Sequence, residues 1–161
     1  MAEPIAIFIK ANDKPIEGEV RQRVQAFKGA CECRTMHIAA RAGQAGGAVP
    51  AGAVSIDDLV LVKRIDCASP LLFAALCKNE TISLEAKFVR PAAANGTTEH
   101  YYSIVGLRGR ITSIAQSTPD AMDPKSSSEE PCETICFRFE KITFKYPPKN
   151  LEYSHSPSEG E

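Results

Sequence analysis

The sequence predicts an all-β domain with one short helix, its strands closing into a barrel or packing as a sandwich. Three observations carry that expectation. Apolar residues recur at every second position in several runs, as at Ile5, Ile7 and Ile9 and again at Ile82, Leu84, Ala86 and Phe88. Only the segment opened by Ser69-Pro70 has the composition and the boundary signals of a helix. Residues 39–53, rich in glycine and alanine, hold no large apolar side chain that could anchor a core and read as a long loop.

Taken in order, Ile5, Ile7 and Ile9 make a first strand, and a turn at Lys14-Pro15 separates it from residues 16–20, completing a hairpin. Residues 21–37 mix Val24, Phe27, Cys31 and Cys33 with polar residues at no helical period, with Gly29 among them, which fits one long, bent or bulged strand. After the loop, residues 54–65 return to strand composition. Leu59-Val60-Leu61-Val62 is apolar on both faces, so this strand needs cover on both sides. Ser69 offers an N-cap and Pro70 a first helical residue for a mostly buried helix that stops at Lys78-Asn79. Residues 82–88 form a half-buried strand, and Asn95-Gly96 is a hairpin turn into a partner strand that starts near Glu99. In that partner Val105, Leu107 and Ile111 share one parity, while Arg108, Arg110 and Thr112 share the other and face solvent. Residues 116–131, rich in Ser, Pro, Asp and Glu, make a surface loop. The last strand, residues 132–146, changes its apolar parity from Ile135, Phe137 and Phe139 to Ile142, Phe144 and Tyr146, a switch that a β-bulge at Glu140-Lys141 explains. Pro147-Pro148 ends it. Residues 1–148 are thus expected to form one domain, and residues 149–161 a polar tail that buries too little to order itself.

Composition bounds the function. The 19 basic and 20 acidic side chains leave a formal net charge of -1, so no global attraction draws the chain to nucleic acid or to an acidic membrane surface. The longest early apolar run, residues 5–9, is too short for a secretory or membrane-spanning segment, and the expectation is a chain folded in the cytoplasm with its six cysteines reduced and buried. His37, His100 and His155 lie far apart, and neither Cys31 with Cys33 nor Cys132 with Cys136 has the spacing of a zinc or redox motif. Along a strand Cys132 and Cys136 stand about 13 Å apart, too far to bridge. Cys67, His100 and Asp66 compose a hydrolase triad on paper, but no nucleophile elbow supports it. The glycines of residues 43–52 lack the Lys-Ser/Thr ending of a phosphate loop. The expectation is a protein without catalytic, metal or cofactor chemistry, whose surfaces bind other protein, including copies of itself.

Four segments then resemble one family. Ile7-Phe8-Ile9-Lys10, Thr35-Met36-His37 running into the glycine-rich loop, residues 59–71 from Leu59 through Lys63-Arg64-Ile65-Asp66 to Leu71, and Ile142-Thr143-Phe144-Lys145-Tyr146-Pro147-Pro148 together resemble the hemolysin-coregulated protein (Hcp) family, the inner-tube subunits of type VI secretion systems. The resemblance implies a β-barrel of two sheets with a short flanking helix, assembled as a homo-hexameric ring. Rings stack into a tube inside a sheath, behind a spike, and carry effector proteins in the lumen. It further implies assembly in the cytoplasm and export without a signal peptide, no cofactor, and no membrane insertion. On this reading Arg41, Gly43, Gly46, Gly47 and Gly52 belong to a ring-stacking loop, Leu59, Val60, Leu61 and Val62 to a subunit interface, and Arg108, Arg110 and Thr112 to a surface facing lumen or sheath. Arg64 stands where the family usually has tryptophan, and the glycine-tryptophan segment common near the family's C-terminus is absent. A tail-tube subunit of a phage or other contractile particle is the nearest alternative, and a small β-sandwich binding module a more distant one.

Overall fold

The computed structural model describes residues 5–21, 27–93 and 96–157. Six strands roll into a closed barrel in the order β8-β7-β1-β3-β6-β9, sealed by pairing of β9 back onto β8. They are β1 (Ile5–Ala11), β3 (Cys31–His37), β6 (Leu59–Arg64), β7 (Ile82–Pro91), β8 (Thr98–Ser117) and β9 (Cys132–Arg138). Inside, Ile7, Ile9, Leu59, Leu61, Ile82, Leu84, Ile135 and Phe137 are fully buried. Each such side chain contributes roughly 1.5–3 kcal/mol on removal from water. The alternation seen in sequence is therefore the inward parity of these strands.

Local chemistry sets the details. The first hairpin turns at Asn12-Asp13, both at positive φ (48° and 64°), and Lys14 and Pro15 already belong to β2 (Lys14–Ile16). Two consecutive left-handed residues are what a tight hairpin turn requires, and Asn and Asp adopt that conformation far more readily than Lys, while Pro is barred from it. The expected long strand over residues 21–37 is shorter: β3 begins at Cys31, residues 27–30 form a turn, and residues 22–26 with Val24 lie outside the described residues. Phe27 and Ala30 of that turn pack with Ala6 and Val89, covering the outer face of β1. Asn95 of the expected Asn95-Gly96 turn also lies outside the described residues. Around it Ala92 N–H donates to the Thr97 carbonyl at 2.7 Å, and β7 pairs antiparallel with β8.

The helix α1 (Ser69–Cys77) is present with two corrections. Ser69 is its first turn rather than its cap, and only Ser69, Leu72 and Ala75 are buried, whereas Leu71 and Phe73 stand in solvent. A run apolar on every side carries no periodic signal telling which face is covered. In β8 the expected parity also changes. Ile104 and Gly106 point inward, Arg108 adopts φ 51°, and Gly109 and Ile111 resume the inward row, so Val105 and Leu107 lie on the outer face. One bulged residue shifts every side chain beyond it to the opposite face.

The parity switch near Glu140 is where the sequence places it, but it divides the segment into β9 and β10 (Lys141–Tyr146). Both follow the same edge of β8, β9 along residues 110–117 and β10 along residues 103–107. The tail corrects the expectation over residues 151–155. After a 3-10 turn at Pro147–Lys149 and Asn150 at φ 50°, β11 (Leu151–His155) returns along β10. Backbone hydrogen bonds hold this strand, while Leu151 and Tyr153 remain exposed. Residues 158–161 lie outside the described residues.

Candidate functional site

Beneath the start of α1 the inward row of β6 ends on a charge. After Leu59 and Leu61 comes Lys63, 1% exposed, directly opposite Glu133 on β9. Its Nζ lies 2.6 Å from Glu133 Oε1 and 2.7 Å from Asp66 Oδ1, and donates to the Arg64 carbonyl at 2.9 Å. Ser69 Oγ donates to Glu133 Oε1 at 2.7 Å and accepts the Asp66 N–H at 3.0 Å, which is why this serine does not cap its own helix. Gln116 donates to the other Glu133 oxygen, and the backbone N–H groups of Ala68 and Glu19 donate to Asp66. Burial alone pushes the Lys63 ammonium down, but hydrogen bonds and charge from Asp66 and Glu133 outweigh it and raise its pKa. Its groups satisfy one another within the cluster, which ties α1, β6, β8 and β9 together, and Asp66, Ser69 and Gln116 also line the groove beside the start of α1. Sequence reading passed over it, although the signal was available: Lys63 and Glu133 continue the parity of Leu59 and Leu61 and of Ile135 and Phe137.

The residues that compose a hydrolase triad on paper are not brought together. Cys67 lies before α1 with its Sγ 3.5 Å from the Glu17 carbonyl, whereas His100 Nε2 contacts Ser103 Oγ at 2.6 Å near the start of β8. Among the described residues no group of His, Cys, Asp and Glu is placed to hold a metal ion. All six cysteines are thiols; Cys31, Cys33 and Cys132 are buried, while Cys67 and Cys77 are exposed, against the expectation that the set would be buried. Burial pushes the Cys31 thiol up to about 12 and the Cys33 thiol up to about 11.

The remaining features are surfaces. Residues 39–53 are not a plain loop: β4 (Ala40–Ala42) pairs with β5 (Val54–Ile56) in a separate two-stranded hairpin with every residue of β4 exposed. Arg41 pairs with Asp57 across its base at 3.1 Å, and Gly43, Gly46, Gly47 and Gly52 lie beyond the ladder. Gly43 admits no side chain, since a Cβ there would meet the Pro50 carbonyl oxygen at 1.9 Å. Of the four residues assigned to a subunit interface, Leu59 and Leu61 are consumed by the chain's own core because they point into the barrel; only Val60 and Val62 stand on the outer face, half-buried. Arg108 and Thr112 are exposed and Arg110 is half-buried.

Two apolar faces were not read from the sequence as surfaces. Ile65, Pro70 and Phe73 line a groove with Ile114 at the far end of β8, and Phe73 is 59% exposed. On β10 and β11, Phe144 stacks on Tyr102 at 6.3 Å and faces Tyr153, which is 74% exposed, beside Leu151. That second face continues the inward parity of Ile104 and Ile142 past the barrel wall, where no other described residue covers it. From Ile104 to Ile114 is roughly 30 Å of strand, so the two faces sit at opposite ends of β8 and cannot cover each other.

This barrel, hairpin and flanking helix can be compared with known proteins. The model of the family described as "Type VI secretion system effector, Hcp" matches residues 8–146. The chain belongs to the Hcp family. Among curated proteins, the "Major exported protein" of Pseudomonas aeruginosa is 36% identical over 89 residues, which are 55% of this chain and 51% of that protein; the match thus spans about half the length of the relative. Among solved structures, the Hcp1 protein of E. coli EAEC 042 superposes with a TM-score of 0.80 at 23% identity, covering 96% of this chain and 99% of that one. The secreted Hcp3 of Pseudomonas aeruginosa gives 0.73 at 22%, covering 94% and 98%. At these identities the structures show a shared fold, and the Hcp barrel with its extra strands and single helix is the fold seen here.

Proposed function

We propose that this Hcp-family chain is the structural subunit of a type VI secretion inner tube, working by assembly rather than by catalysis. Copies close head to tail into a hexameric ring, rings stack through the hairpin at residues 40–56, and the lumen carries effectors. The protein assembles in the cytoplasm and is then exported. The observation that supports the ring most directly is the pair of uncovered apolar faces, Ile65, Leu71 and Phe73 at one end of β8 and Phe144, Leu151 and Tyr153 at the other. Two different faces that bury each other between successive copies make a heterologous contact, and a heterologous contact that closes makes a ring. Among the described residues no strand pairs with the outer edge of β11, which adds backbone donors and acceptors to the second face. Val60 and Val62 contribute outer-face contact, and the glycines beyond β4 and β5 let neighbouring backbones approach closely.

Light scattering on the purified protein at micromolar concentration, followed by negative-stain imaging, tests the assembly. A mass six times that of the chain and ring-shaped particles are expected; a monomer at that concentration removes the reading.

A further inference from the structure

The bulge of β8 and the end of β9 form a hollow outside the two apolar faces and the β4–β5 hairpin. Its floor is Phe139 and Pro157, and its rim carries Arg108, Arg110 and Arg138. Phe139 lies flush against β8 because Gly106 and Gly109 have no side chains; a Cβ on either would meet its ring at 2.6 and 2.3 Å. Arg108 reaches the rim from a left-handed backbone, φ 51°, a conformation unfavourable for a residue other than Gly, Asn or Asp and held only by its surroundings.

The charges of this rim are unevenly matched. Arg108 pairs with Glu140 at 3.0 Å, and Arg138 with Asp58 at 2.9 Å, whose other oxygen accepts from Thr112. Arg110 is half-buried and directly opposite Arg138 in the ladder, so two guanidinium groups are cross-strand neighbours, an arrangement that is unfavourable when no anion sits near both. Among the described residues no carboxylate pairs with Arg110. Its hydrogen bonds, to Thr81 Oγ1 at 2.7 Å and the Gly109 carbonyl at 2.9 Å, both leave from Nη1, and its Nε and Nη2 donors have no partner there.

The geometry points to a binding site for a peptide carboxylate: an Asp or Glu of a partner protein, engaged by Arg110 and Arg138, with an adjacent apolar side chain of that partner laid on Phe139 and Pro157. A guanidinium fork favours a planar carboxylate, and the apolar floor beside it selects a peptide over a small ion. The partner is a segment that alternates acidic and apolar residues. Every residue named belongs to one chain, so the site is complete without a second copy.

Photo-crosslinking with the diazirine peptide acetyl-photoleucine-Glu-photoleucine-amide tests this, with assembly size measured on the same samples. Adducts are expected on residues 108–112 and 138–140. They should be lost when the peptide carries Gln instead of Glu, lost in Arg110→Ala, and reduced as salt is raised. Equal labelling by the Gln peptide, or by Arg110→Ala, would overturn the site. Displacement by inorganic phosphate at lower concentration than by acetate would overturn it in favour of a phosphate ligand. The melting temperature of Arg110→Ala should stay unchanged or rise, since a like-charge pair is relieved; a marked fall would show that Arg110 is structural and overturn the proposal.

Discussion

Lys63 occupies a position that an aliphatic residue would ordinarily fill, and its two carboxylate partners make it a point of vulnerability. Lys63→Met removes the only ammonium of the cluster and leaves Glu133 and Asp66 buried without it, an imbalance that costs about 3–5 kcal/mol. Urea denaturation should show that loss, and the double variant Lys63→Met with Glu133→Gln should regain a large part of it. The same residues fix a pH dependence. The folded pKa of Lys63 lies above its ordinary 10.5 and that of Cys31 rises from 9.0 to about 12. Both groups bind their proton more tightly in the folded chain, so their contribution is complete below the unfolded values and is lost as pH rises through the folded ones. Stability should decline as pH climbs from 9.0 toward about 12, beginning with Cys31 and Cys33 together, and Cys31→Ala should reduce the slope of that decline, with the Cys33 share remaining, in denaturation midpoints measured across the range. A third residue-scale case is Gly109→Ala, which forces a methyl into the Phe139 ring and should destabilise by about 1–3 kcal/mol, with Phe139→Leu relieving most of the clash in a double-mutant cycle. Lys63 and Glu133 were legible in the sequence as charges on inward parity. The left-handed φ of Arg108 was not, because nothing in an arginine announces it.

At the level of elements, period-2 alternation located the core strands and Ser69-Pro70 located α1, since burial on one face and a fixed φ leave marks in the residues themselves. What failed to show was structure held by backbone pairing alone. β11 carries Leu151, Glu152 and Tyr153, all exposed, and exists because β10 offers it a ladder. The hairpin of β4 and β5 is similar, three pairs from Ala40↔Ile56 to Ala42↔Val54 at the base of a glycine-rich tip. A tip of this kind loses about 1–2 kcal/mol of backbone entropy for each residue it orders, so under the proposed stacking a contact with a neighbouring ring is weak singly and strong only by repetition around the ring. Replacing residues 43–53 by Asn-Gly keeps the ladder register and should leave the ring intact on size exclusion while abolishing tubes in electron micrographs and export from cells. Tubes of normal length from the shortened chain would show that stacking uses another surface.

For the whole molecule, the proposed ring turns on the relation between its two apolar faces. If the contact were isologous, each face would meet its own equivalent, and spoiling one face would leave contacts through the other untouched. A head-to-tail contact behaves differently, because each copy contributes Phe73 to one neighbour and Tyr153 to the other. Placing a carboxylate in either face puts an unpaired charge into an apolar contact, a penalty of several kcal/mol that a single interface does not survive. Phe73→Asp and Tyr153→Asp should therefore each be monomeric by light scattering yet still unfold cooperatively, at a temperature lowered only by the lost assembly, since both side chains are exposed in the isolated chain. Mixed in equal amounts, the two variants retain one sound interface between them, the intact β10–β11 face of the Phe73→Asp chain against the intact helix face of the Tyr153→Asp chain. That interface has no way to propagate, so the mixture should yield a heterodimer and nothing larger. Homodimers of one variant, or no association on mixing, would exclude the head-to-tail ring built on these faces.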